Sequence, residues 1–150
     1  MEGNSAVGHA VKSTVTVLRP SVRRGCRVGS KLILVVDDSA VARGVARHVL
    51  TKAGMDVHCA ASVADAVSFL VEGGRPDLIL TDFNMPEADG VALIDRLRHS
   101  RTMRDTPILV MTAGMGASEK ERAKNAGATG WIVKPLDAEK LVSAIERLTH

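Results

Sequence analysis

The chain has 150 residues, the length of one domain with a sizeable core. Two Phe, one Trp and no Tyr among 45% hydrophobic residues leave the core aliphatic, and make a base-stacking nucleic-acid surface hard to build. The net charge of +3 belongs to the N-terminus: residues 1–30 hold Lys12, Arg19, Arg23, Arg24 and Arg27 against Glu2, and the other 120 residues sum to −1. The basic balance therefore does not mark a nucleic-acid-binding domain. Cys26 and Cys59 form neither a disulfide framework nor a metal spacing, which fits a reducing, cytoplasmic setting. No apolar run approaches the ~18 residues of a membrane span, and the N-terminus lacks the apolar stretch of a signal peptide.

Residues 1–30 show no sustained period and read as a disordered basic tail. The domain is expected over 31–150. Leu32 to Val36 is a continuous apolar run, the sign of a strand covered on both faces. Over 39–53, Val41, Val45 and Val49, backed by Ala42 and Ala46, predict a helix that stops at Gly54. A short strand is expected over 55–60. Ser62 then caps a helix carrying Val63, Ala66, Val67, Leu70 and Val71, closed by Gly73-Gly74. Asp77 to Thr81 is a third strand, and Leu93, Ile94 and Leu97 mark a third helix. Pro107 precedes a fourth strand at Ile108 to Met111. Ser118 with Glu121 predicts a capping box for a fourth helix, the one with the weakest apolar stripe, which ends at Gly127. Gly130 to Val133 is a fifth strand. Asp137 caps a last helix with Leu141, Ala144, Ile145 and Leu148 on one face. Five strand–helix pairs in 120 residues imply an α/β fold, a doubly wound parallel sheet with right-handed crossovers.

In such sheets a site forms at the carboxyl ends of the strands. Strand one delivers Asp37 and Asp38 there, strand three Asp82, strand four Thr112 and strand five Lys134, followed by Pro135. Two carboxylates ~4 Å apart repel by about 4 kcal/mol at an effective dielectric of 20. Either their pKa values rise or a cation sits among them, and a hard divalent ion such as Mg²⁺ suits oxygen ligands. Lys134 and Thr112 would meet phosphate oxygens. Asp82, in "LTDFNMPEADG", is the central nucleophile candidate of a phosphoryl-handling site.

With these residues in view, 31–150 resembles the receiver domain of two-component response regulators. The likeness rests on Asp37-Asp38 after "LILVV", Asp82 in "TDFNMPEADG", Thr112-Ala113 after "ILVM" and Lys134-Pro135 in "GWIVKP". The intervals of 44, 30 and 22 residues between Asp38, Asp82, Thr112 and Lys134 suit the family. The resemblance implies a flavodoxin-like sheet of strand order 2-1-3-4-5. It implies that Asp82 accepts a phosphoryl group from a kinase phosphohistidine. Asp38, Asp82 and the main-chain carbonyl of Asn84 would hold Mg²⁺, with Asp37 acting through a water. Thr112 and Lys134 would bind phosphoryl oxygens, and Ala113 would leave them room. Trp131 is expected to swing inward as Thr112 moves, and Lys134-Pro135 is a candidate cis peptide. The fourth helix, fifth strand and fifth helix would form the output surface.

"DFNMPEADG" and "KNAGATGWIVKPLDAEKL" look most like single-domain chemotaxis receivers of the CheY type. That likeness implies a monomer, a CheA-type histidine kinase, the flagellar motor switch as target and a phosphatase as a further partner. Gly114 departs from the larger polar residue frequent there, which leaves the phosphate lifetime open. The alternatives are a phosphorelay shuttle, a phosphate sink or an Asp-nucleophile phosphatase. Asn84 stands where the phosphatase would need an acid and has no proton to give. No nucleotide-binding glycine motif occurs. Arg96, Arg98 and Arg101 read as a solvated face, and the five histidines show no ligand spacing.

Overall fold

A computed structural model of the chain describes residues 15–17, 30–85, 90–114 and 116–149. The expected tail residues 1–14 and 18–29, including Cys26 and His9, lie outside them, as do Pro86, Asp89 and His150. The elements are β1 (Val15–Val17), β2 (Leu32–Val36), α1 (Ala40–Lys52), β3 (Asp56–Ala60), α2 (Val63–Val71) and β4 (Leu78–Asp82). There follow α3 (Gly90–Arg98), β5 (Ile108–Thr112), α4 (Ala117–Ala126), β6 (Gly130–Val133) and α5 (Ala138–Thr149).

The sheet runs β1-β6-β5-β4-β2-β3, and every pairing from β6 to β3 is parallel. Taken in chain order, those five strands have the expected order 2-1-3-4-5. The sixth strand is a correction. Val15, Thr16 and Val17, read as part of an irregular tail, pair antiparallel with Ile132, Trp131 and Gly130 on the outer edge of β6.

Because side chains alternate along a strand, each apolar run feeds both faces. Leu34, Val36, Ile79, Ile108 and Val110 join the core under α2, α3 and α4. Ile33, Val35, Leu78, Leu80, Leu109 and Met111 join the one under α1 and α5. Ser62 caps α2 by accepting the Asp65 N–H at 3.0 Å, and Asp137 caps α5 by accepting the Lys140 N–H at 3.1 Å, as expected. Gly54, Gly73 and Gly127 follow their helices with positive φ, a region open to glycine at little cost.

Three local readings change. Val41 and Val45 of the expected α1 stripe are exposed, at 77% and 49%, whereas Ala46 is buried and Val49 packs against the same cluster as expected, with Leu50 added to the inner face. Four-residue spacing alone rotated the first half of the stripe away from the sheet. The α4 cap is Gly116, whose N–H donates to Glu119 Oε1 at 2.7 Å, two residues before the predicted box. Only Ala123 of α4 is buried, in line with its weak stripe.

Arg98 is not a solvated charge. Its Nε donates to the Gly127 carbonyl at 2.9 Å. One terminal nitrogen donates to the Met103, Arg104 and Thr106 carbonyls at 3.3, 3.0 and 2.7 Å, and the other to Thr129 Oγ1 at 3.3 Å. The planar guanidinium thus ties the end of α3 to the end of α4 and to the loop before β5. Arg98→Ala is expected to cost about 2–4 kcal/mol in urea unfolding, since charge-assisted bonds are worth about 1.5–3 kcal/mol each and several are lost together. Arg98→Lys should recover little, because an ammonium cannot reproduce the fork.

Candidate functional site

Asp37 follows β2 directly, and two contacts fix it there. Its Oδ1 accepts the Ser39 N–H at 2.9 Å, while its carbonyl accepts from the Arg43 guanidinium at 2.7 Å. Ser39 in turn caps α1 by accepting the Ala42 N–H at 3.2 Å. The start of α1 therefore aims the Asp37 carboxylate over the sheet end, where it is 1% exposed. Asp38 beside it is exposed. Asp82 closes β4 at 8% exposure.

These three aspartates each bring a carboxylate oxygen within 4.8 Å of the others. Lys134, just past β6, reaches across to them. Its Nζ lies 3.2 Å from Asp82 Oδ1 and 3.3 Å from Asp37 Oδ2. One ammonium is thus shared between two buried acids and leaves them under-compensated. Burial, followed by the charge of Asp37, raises the Asp82 carboxyl above its ordinary value, while Lys134 pulls it down. Burial alone would lower the Lys134 amine, but Asp82 and Asp37 outweigh it and hold the amine above its usual range. Three oxygens from two adjacent strand ends, with too little positive charge between them, are a donor set suited to a hard divalent cation.

Thr112 ends β5 at 2% exposure. Its hydroxyl donates to the Gly114 carbonyl at 2.9 Å and accepts the Gly114 N–H at 3.0 Å, so it is occupied within its own loop. Ala113 and Gly114 are exposed, and a Cβ at Gly114 would meet nothing within 4 Å. Asn84 stands exposed two residues beyond Asp82. The Lys134–Pro135 bond is cis. Trp131 is 8% exposed, with Lys120 Nζ 5.9 Å from its ring centroid.

Two supporting residues went unnoticed in the sequence. Arg43 was hidden because it acts through a backbone carbonyl. Gly90 stood only as the last residue of "LTDFNMPEADG", yet a Cβ there would sit 2.5 Å from the Asp82 carbonyl oxygen. Its N–H donates to the Phe83 carbonyl at 2.9 Å, which brings the start of α3 tightly against the end of β4.

A mainly parallel sheet wound on both faces, with three acids, a hydroxyl and a lysine at its carboxyl edge, defines an α/β domain with an acidic pocket. A profile of the response regulator receiver domain family matches residues 33–146, and the chain belongs to that family. Its members are phosphoacceptors of two-component signalling rather than classical enzymes. Within the family the chain is of the CheY type. It is 34% identical over 115 residues to a chemotaxis protein CheY homolog of Campylobacter jejuni, covering 76% of this chain and 88% of that protein. The solved structure of Vibrio cholerae CheY4 superposes with a TM-score of 0.75 at 34% identity, over 80% of this chain and 99% of that one. The receiver domain of a Pseudomonas aeruginosa sensor histidine kinase, solved with magnesium coordinated in its active site cleft, gives a TM-score of 0.74 at 28% identity, over 81% and 98%. The chain also matches a probable histidine kinase of rice at 34% identity over 148 residues, but spans only 15% of that protein.

Proposed function

We propose that Asp82 is the phosphoacceptor of a response regulator that takes its phosphoryl group from a histidine kinase. The observation that carries this reading is the buried Asp82 carboxylate, 3.2 Å from Lys134 within a three-acid cluster. An Asp82 oxygen attacks the phosphorus of a phosphohistidine in line. The O–P bond forms, the P–N bond breaks, and the imidazole leaves neutral, keeping the proton its other ring nitrogen already carried. Lys134 faces one developing negative oxygen, and Thr112, released from the Gly114 loop, faces another. Ala113 leaves these oxygens room.

Asp38, Asp82 and the Asn84 carbonyl would hold Mg²⁺, with Asp37 acting through a water. The ion would supply neutralisation of charge on the transferring group. The chain's own acids set the need for it, because Lys134 alone does not balance them. Among the described residues no helix is long and apolar enough to cross a membrane. A cytoplasmic monomer that engages the flagellar motor switch through α4, β6 and α5 is the reading supported by the likeness to CheY proteins. A relay shuttle is the second reading, favoured by the matches to receiver segments of histidine kinases.

The test is intact-mass spectrometry after incubation with acetyl phosphate. The natural chain should gain one phosphoryl group with Mg²⁺ and none with excess chelator. A mass unchanged under both conditions would remove the phosphoacceptor reading. Binding of the phosphorylated form to a motor-switch peptide, against transfer to a second histidine domain, separates the two roles.

A further inference from the structure

The strand added by β1 lies outside the residues that match the family, which begin at 33. It occupies the one side of β6 that the parallel sheet leaves open. A strand edge with unpaired backbone groups is a ready template for another extended segment. Here the occupant is seen. Val15 faces Ile132 and packs against the cluster under α5. Thr16 faces Trp131, and Val17 faces Gly130.

Gly130 is fitted to this arrangement. A Cβ built there would land on the Thr16 carbonyl oxygen, so the missing side chain is what admits a backbone at this place. The occupant itself is slight. It is three residues long, Val15 and Thr16 are half-buried and Val17 is 40% exposed. Such a segment opens at low cost relative to the core strands beside it.

We propose that the outer edge of β6 is a binding site for an extended, β-branched peptide segment of a partner protein, and that residues 15–17 are its tethered resident, which the partner must displace. The site asks for an apolar residue opposite Ile132, a small polar one opposite Trp131 and a close backbone approach at Gly130. Val15-Thr16-Val17 is the chain's own imitation of that ligand. The site does not depend on phosphoryl transfer and is tested in the unphosphorylated protein.

The experiment compares the full natural chain with the full-length double variant Val15→Asp, Val17→Asp. Both positions lie outside the acidic pocket and on the sheet's rim, so the receiver fold stays intact; an unchanged melting transition verifies this. Displacing β1 should speed hydrogen exchange of the outward-facing β6 amides at least tenfold, with β4 and β5 unchanged. Trp131 emission should shift to the red. A synthetic peptide of residues 12–20, KSTVTVLRP, should perturb the β6 amides of the variant at least tenfold more tightly than those of the natural chain. Equal binding to both, or binding to neither, overturns the proposal. Light scattering should show the natural chain as a monomer. A dimer that the two substitutions dissolve would assign β1 to a second copy and would equally overturn the tethered resident.

Discussion

Asp82→Asn is expected to leave the chain without any phosphoryl adduct from acetyl phosphate and to raise its melting temperature by roughly 2–6 °C, the shift that goes with about 1 kcal/mol in a domain of this size. Loss of the adduct follows from loss of the proposed nucleophile. The gain in stability follows from the cluster. Burial and Asp37 hold the Asp82 carboxyl above its ordinary value, so its ionised form is disfavoured in the folded state. A carboxyl raised in this way favours folding below its unfolded pKa of about 3.9, and that contribution is lost as pH rises through the folded value. The two proteins should therefore melt alike in acid and diverge toward neutrality, with the variant the more stable. Melting followed by circular dichroism from acid to neutral pH is the measurement. A variant that melts lower at neutral pH would mean that Lys134 more than compensates its acids.

Lys134→Met is expected to act in the opposite direction on stability. The substitution keeps the stem and removes the ammonium, leaving Asp37 and Asp82 facing each other without it. Breaking a buried pair on one side costs about 3–5 kcal/mol. Lys134 is 30% exposed, so solvent screening reduces the expectation to about 2–3 kcal/mol in chelator at neutral pH. The lysine's folded pKa is raised, so its contribution is full below its unfolded value of about 10.4 and is lost only as pH rises through the folded one. The variant's deficit should shrink in acid, where Asp82 takes up a proton, and Mg²⁺ should restore part of it at neutral pH. Phosphoryl uptake should fall about 100-fold, the scale of losing one donor to a developing oxyanion. Urea titration with and without Mg²⁺, beside the mass assay, reads both effects. Full stability in chelator would show that the two ion pairs carry nothing.

The parallel core was legible because a strand buried on both faces must be apolar throughout. Leu32 to Val36, Leu78 to Leu80 and Ile108 to Met111 all read that way, and all lie in strands. The acidic pocket was legible for a related reason: each run breaks off into a polar residue at the same edge of the sheet. What escaped depended on partners far away in sequence. Arg98 resembles any surface arginine until the carbonyls of Gly127 and Thr106 converge on it. Val41 and Val45 have helical spacing, but the direction of α1's inner face is set by the sheet it crosses. Val15 to Val17 is too short to carry a period, and its pairing is decided by an edge more than a hundred residues on. The start of α4 was misplaced because Gly116 offers no side chain to mark a cap.

The length of chain between β1 and β2 has a consequence of its own. Fourteen residues, 18–31, join Val17 to Leu32. Extended, they reach about 46–50 Å, whereas the four strand spacings they must bridge amount to about 19 Å. The segment is longer than that span requires, and a tether of this length keeps its end at an effective concentration on the order of millimolar. Any visiting segment competes against that standing local dose. The edge of β6 therefore sets an affinity floor. Passing contacts with exposed strands are turned away, and only a segment that outbids a permanent neighbour gains the edge.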